Sequence, residues 1–217
     1  MRRISVVVLA VAALSLTAEV AFAQEPPAGI SSVPSTSEQS TTSSILEFLG
    51  GGALALGAHE GGHLLFDAIF DARPGLKKVS FHGIPFFAIT HDGGLPPTQE
   101  FVIDSAGFWV QEATNEWMLT KRPQLRHEHA PLLKGMFAFN VGASFAYAGA
   151  AFARTGPAER DTRGMAEALR WKEPYVGLLI LVPAILDSVR FLNPDAKWAM
   201  WGSRASKIFG VVLIVRP

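Results

Sequence analysis

Apolar residues gather in four long stretches, residues 45–70, 101–119, 132–153 and 175–192, separated by shorter polar segments. Each has roughly the 17–25 residues that a helix needs to cross or enter a bilayer. The pattern therefore predicts a mainly α fold, a polytopic membrane bundle of about four apolar helices. None of the four is purely apolar. The first carries Glu47, His59, Glu60, His63 and Asp67, the third Asn140, and the fourth Asp187 and Arg190. The second holds Asp104, Gln111, Glu112, Asn115 and Glu116, and reads as partly inserted or shielded by protein. A last apolar run, 208–215, is too short to span and reads as lying in the interface.

The intervening segments follow other periods. Val79, Phe81, Phe87 and Ile89 alternate with other residues around a Gly83-Ile84-Pro85 break, which predicts a short β-hairpin after the first helix. Residues 162–171 read as a short amphipathic helix, with Asp161 before it as the N-cap. At the start, Arg2 and Arg3 precede an apolar stretch, 4–16, and Ala21-Phe22-Ala23 supplies a cleavage pattern. Residues 1–23 are thus expected to be a signal peptide, the other reading being an uncleaved first membrane helix. Either way residue 24 lies outside the inner membrane. Residues 24–44, rich in Ser, Thr and Pro, read as a disordered tether. The remaining domain, 45–217, would begin with a helix running inward, which leaves Arg73, Lys77 and Lys78 on the cytoplasmic side, in accord with the positive-inside rule.

Composition agrees with a membrane setting. Of 217 residues, 49% are hydrophobic and 18% charged, and the mean hydropathy is +0.25. With 19 basic and 19 acidic residues the net charge is zero, so no nucleic-acid footprint exists. Membrane lipid is an expected partner, and no feature defines an oligomeric state. Cysteine is absent, which excludes disulfides, thiolate nucleophiles and Cys-type zinc sites. Any metal must be held by His, Asp or Glu.

The first apolar stretch contains such a set. His59-Glu60-Gly61-Gly62-His63 is an H-E-x-x-H pattern. On a helix, residues four apart share a face, so both imidazoles reach one ion, and Glu60 stands beside them as a general base. At this histidine and glutamate content, chance produces the pattern in roughly one such chain in a hundred. The apolar setting adds weight, because an unpaired charge is costly to desolvate and ionisable groups within membrane helices are functional or paired. Two histidines need a third ligand. Asp187 is the foremost candidate, alone on an apolar helix far along the chain; a local ion pair with Arg190 is the other reading.

A membrane helix bearing H-E-x-G-H, a following hairpin and a late Leu186-Asp187 resemble the site-2 protease family of intramembrane zinc metallopeptidases. That family's late motif reads approximately Pro, a few residues, then Leu-Asp-Gly-x-Arg; here it is Pro183, then Leu186-Asp187-Ser188-Val189-Arg190. Ser105-Ala106-Gly107-Phe108-Trp109 resembles its Ala-Gly element. The resemblance implies Zn2+ held by His59, His63 and Asp187, Glu60 as base, and a peptide or membrane-protein substrate. Two departures stand out. Ser188 replaces the glycine after the aspartate, and Asn193-Pro194 follows the aspartate where the family has Asn-x-x-Pro before it.

Other groups have plainer readings. Asp67, a turn after His63, either orients an imidazole or ends the helix near Arg73. His82 and His91 read as surface residues of the hairpin, and residues 126–131 as a solvated loop. Asn140 bonds either a substrate backbone or a neighbouring helix. Two alternative functions compete: an exported gluzincin-like hydrolase with Glu112 or Glu116 as third ligand, and a catalytically silent membrane protein that keeps a metal site for structure.

Overall fold

The computed structural model describes residues 41–81 and 84–215. The expected signal peptide and most of the tether lie outside the described residues, as does His82. Six helices and one hairpin follow in order: α1 (Thr41–Phe70), β1 (Gly75–Phe81), β2 (Ile84–Thr90), α2 (Pro97–Lys121), α3 (Pro131–Ala153), α4 (Asp161–Leu169), α5 (Glu173–Leu192) and α6 (Lys197–Val215). The fold is mainly α, with a two-stranded antiparallel sheet in the register Gly75 to Thr90 through Phe81 to Ile84.

Several boundaries differ from expectation. Helix α1 starts at Thr41, inside the expected tether, where the Ser43 hydroxyl bonds the Glu47 carboxylate at 3.3 Å. Among the described residues, only α3 and α5 are apolar and long enough to count as candidate membrane spans, two rather than four. The 208–215 run is not a separate interfacial piece but the second half of α6. Its first half is diluted by Lys197, Arg204 and Lys207, and the last two pair with acids on α2 and α5.

Helices α1 and α3 meet backbone to backbone. A β-carbon on Gly51 would fall 1.9 Å from the Leu132 carbonyl oxygen, and one on Gly135 would fall 1.9 Å from that of Phe48. Each glycine thus admits the other helix's main chain, the small-residue contact that lets helices approach closely. Lower down, Asn140 on α3 donates to the Asn115 side-chain oxygen of α2 at 2.9 Å, so it bonds a neighbouring helix.

The main core joins Phe66, Phe101, Val102, Ile103, Ala106, Val176 and Ile180 to Met165 and Ala166 of α4. Burying Met165 is worth about 1.5–3 kcal/mol, and this apolar face docks the short α4 on α2. Arg154 and Arg170, both in the left-handed conformation, close α3 and α4 and turn the chain into and out of that docked segment.

Candidate metal centre

The helical spacing of His59 and His63 places both rings, buried, on the inner face of α1. Their Nε2 atoms are 3.2 Å apart. His63 is oriented through its other nitrogen, since Nδ1 lies 2.7 Å from the Ile103 carbonyl oxygen of α2. A proton on Nδ1 donated to that carbonyl leaves the Nε2 lone pair facing His59. His59 is seated against Gly107, where a β-carbon would lie 2.4 Å from its ring, and its ring meets Phe108 edge-on at 5.4 Å. The Ser105-Ala106-Gly107 stretch is therefore the surface on which the motif rests, for Ala106 also lies against Gly62.

The third member of the cluster is Asp161. Its Oδ2 is 3.4 Å from His59 Nε2 and 3.6 Å from His63 Nε2. His59, His63 and Asp161 form the group, among the described residues, that could hold a metal ion. The expected N-cap role of Asp161 does not hold: the residue is the first of α4, Arg160 occupies the cap position, and the carboxylate turns inward to the histidines. Burial alone would raise the Asp161 carboxyl; the charge of His63 and the closeness of both imidazoles outweigh it and hold the group well below the usual carboxylate range. The Tyr147 hydroxyl of α3 is directed at the same carboxylate, and its ring lies 6.0 Å from that of His59.

These residues fit a metal. Tetrahedral zinc with bonds of about 2.0–2.2 Å sets neighbouring ligand atoms about 3–4 Å apart, and the three distances here are 3.2, 3.4 and 3.6 Å. Asp161 Oδ2 is buried without a hydrogen-bond partner, as is His59 Nδ1. Lone pairs converging in a buried space need a cation between them. Glu60, half-buried beside His59, is near enough for its charge to act on His63 and Tyr147.

Asp187, expected as third ligand, is engaged elsewhere. It is 1% exposed and accepts bonds from Ser203 and Lys207 of α6 and from Arg190 a turn further on. The local pairing with Arg190 is present, within a larger network than α5 alone supplies. Glu116 belongs to the same network, held by Arg190, Arg204 and Lys207, while Glu112 faces Lys207 and Asp187. Neither glutamate, offered as third ligand in the gluzincin-like alternative, is part of the histidine cluster.

Two further readings change. Asp67 does not orient His63, whose Nδ1 is already held; it is fully buried and faces His91 at 3.6 Å. His91 is not a plain surface residue, because its other nitrogen lies 2.6 Å from Glu100. Arg73 pairs with Asp92 at 3.7 Å instead. The chain matches no family model, no curated protein and no solved structure.

Proposed function

We propose that this protein is a membrane-embedded zinc metallopeptidase, with His59, His63 and Asp161 as metal ligands and Glu60 as general base. One observation carries the reading: both histidines of an H-E-x-x-H helix converge with a carboxylate about a hundred residues away, at ligand spacing and with the nearer carboxylate oxygen otherwise unbonded. Zinc, when bound, supplies Lewis acidity that polarises a carbonyl and acidifies water. Glu60 accepts a proton from the attacking water and returns it to the leaving amine. Tyr147 is aimed so that its hydroxyl can steady the Asp161 carboxylate. The Ile103 carbonyl fixes the His63 tautomer.

The membrane setting is supported by where apolar side chains point. Besides α3 and α5, helix α1 exposes Leu54, Leu56, Leu64 and Leu65, and α6 exposes Ile208, Phe209 and Val212. Exposed leucines, valines and aromatics on several helices at once are what a lipid-facing bundle would present. The site-2 protease resemblance is kept here for the H-E-x-x-H helix and the hairpin after it, with Asp161 of α4 proposed as the aspartate in place of the late Leu-Asp motif. We take the N-terminal end of α1 as outside and the hairpin as cytoplasmic.

Metal analysis of detergent-purified protein tests the reading. Wild type is expected to carry about one zinc per chain and Asp161→Ala much less. Stoichiometric zinc retained by Asp161→Ala would remove the third ligand and the proposal with it.

A further inference from the structure

Where α3 closes and α5 begins, the chain folds around a hollow of about 640 Å³. Five cations line it, Arg154, Arg160, Arg163, Arg170 and Lys172, against two acids, Glu167 and Glu173. Both acids are taken. Arg160 grips Glu173 with Nε and Nη2, each at 2.6 Å, and Arg163 Nε meets Glu167 at 2.8 Å. Glu159, just before α4, is held by Lys77 of β1. Arg154, Arg170 and Lys172 are left over. Among the described residues, none of these three side chains makes a hydrogen bond or an ion pair.

Two of the three sit where a side chain is disfavoured. Arg154 and Arg170 have φ of 52° and 54°, the left-handed conformation that ends a helix and that glycine adopts without strain. Relief of the helix dipole does not require this, because a cation in the last helical turn gives it in an ordinary conformation. Neither α3 nor α4 has a basic residue in that turn, and each carries the charge in the left-handed position instead. The arrangement places two unpaired guanidinium groups and an ammonium on the wall of one hollow.

We infer that this hollow binds a phosphate group, held by Arg154, Arg170 and Lys172. Three uncompensated cations exceed what one carboxylate neutralises, and suit a phosphate with about two charges and three acceptor oxygens. The planar guanidinium fork matches those oxygens in pairs. Position bears on the source. Both candidate membrane spans reach this end, α3 with its last residue and α5 with its first. Trp171 on the wall and Tyr175 in the first turn of α5 are 38% and 55% exposed, as aromatics are at headgroup depth. On the membrane reading proposed above, the phosphate is that of an acidic lipid headgroup; the same chemistry takes a free phosphate. The site itself depends on neither the metal nor catalysis.

Isothermal titration of the full chain in maltoside detergent tests this, using inorganic phosphate, dihexanoyl phosphatidic acid and dihexanoyl phosphatidylcholine at one ionic strength. Saturable one-to-one binding of the acidic lipid is expected, with the choline lipid at least about tenfold weaker. Inorganic phosphate bound as tightly as the acidic lipid supports the site with free phosphate as its ligand; binding of the lipid alone supports it with the headgroup. Arg154→Gly combined with Arg170→Gly removes both guanidinium groups and gives each left-handed turn the residue that suits it. This variant is expected to unfold at or above the wild-type temperature and to bind at least about tenfold more weakly. A merely structural role for the arginines would instead lower the unfolding temperature and leave affinity unchanged. Should the double variant fail to fold, Lys172→Gln is titrated in its place, and an affinity equal to wild type overturns the inference. Absence of saturable binding by either phosphate overturns it too, as does equal binding of the choline lipid or an affinity that survives the loss of both arginines.

Discussion

Gly107 of α2 is the seat of the His59 ring: a β-carbon at that position would lie 2.4 to 2.5 Å from three of the ring's atoms. No real contact is that close, so even alanine must push the imidazole aside. Gly107→Ala is expected to weaken zinc binding by about 10- to 100-fold, the range seen when the support of a metal ligand is altered. Competition titration against a chelating dye measures it. An unchanged affinity in a folded variant would show that His59 is not positioned by α2.

Asp161 and Asp187 should separate cleanly. Asp161→Asn is expected to lose metal while the bundle stays folded, because its carboxylate faces the histidines. Asp187→Asn is expected to keep metal and lose about 3 kcal/mol of stability, since it leaves Lys207 and Arg190 short of a buried counter-charge. Zinc content and denaturant unfolding in detergent report the two outcomes. The reverse pattern would return Asp187 to the metal site.

Glu60→Gln removes the base and leaves all three proposed ligands. Zinc content is expected at the wild-type level, and hydrolysis of a membrane-peptide library to fall by about 10²- to 10⁴-fold. Full activity in this variant would end the catalytic assignment.

Because α4 brings one of the proposed ligands and α1 brings two, metal should pin the short helix to the bundle. Chelation is expected to speed amide exchange in residues 161–169 by up to about 100-fold for protein previously held at metal 100 times the dissociation constant. Exchange in α3 should change far less. Uniform acceleration through the whole chain, or none in α4, would contradict a metal bridge between these helices.

The parts legible in the sequence are those set by local spacing. His59 and His63 meet because four residues make one helical turn, and the hairpin follows from alternation around a glycine. Asp161 was hidden for a physical reason: an acid opening an amphipathic helix serves its own first turn in most chains, and only tertiary docking turns this one inward. Asp187 was misleading for the complementary reason. It looked stranded on an apolar helix because its partners Ser203 and Lys207 lie 16 and 20 residues on. Those partners belong to a helix whose own basic residues kept it from being recognised at full length. The charges that disguised α6 are the ones that satisfy α2 and α5.

The paired notches at Gly51 and Gly135 limit how the bundle can open. With main chain pressed on main chain at Leu132 and Phe48, α1 and α3 have no slack to part at that end, and the seam between them is a closed hinge. On the proposed peptidase reading, a polypeptide would have to reach the histidines by a route other than this seam, so approach is a matter of route as much as of chemistry.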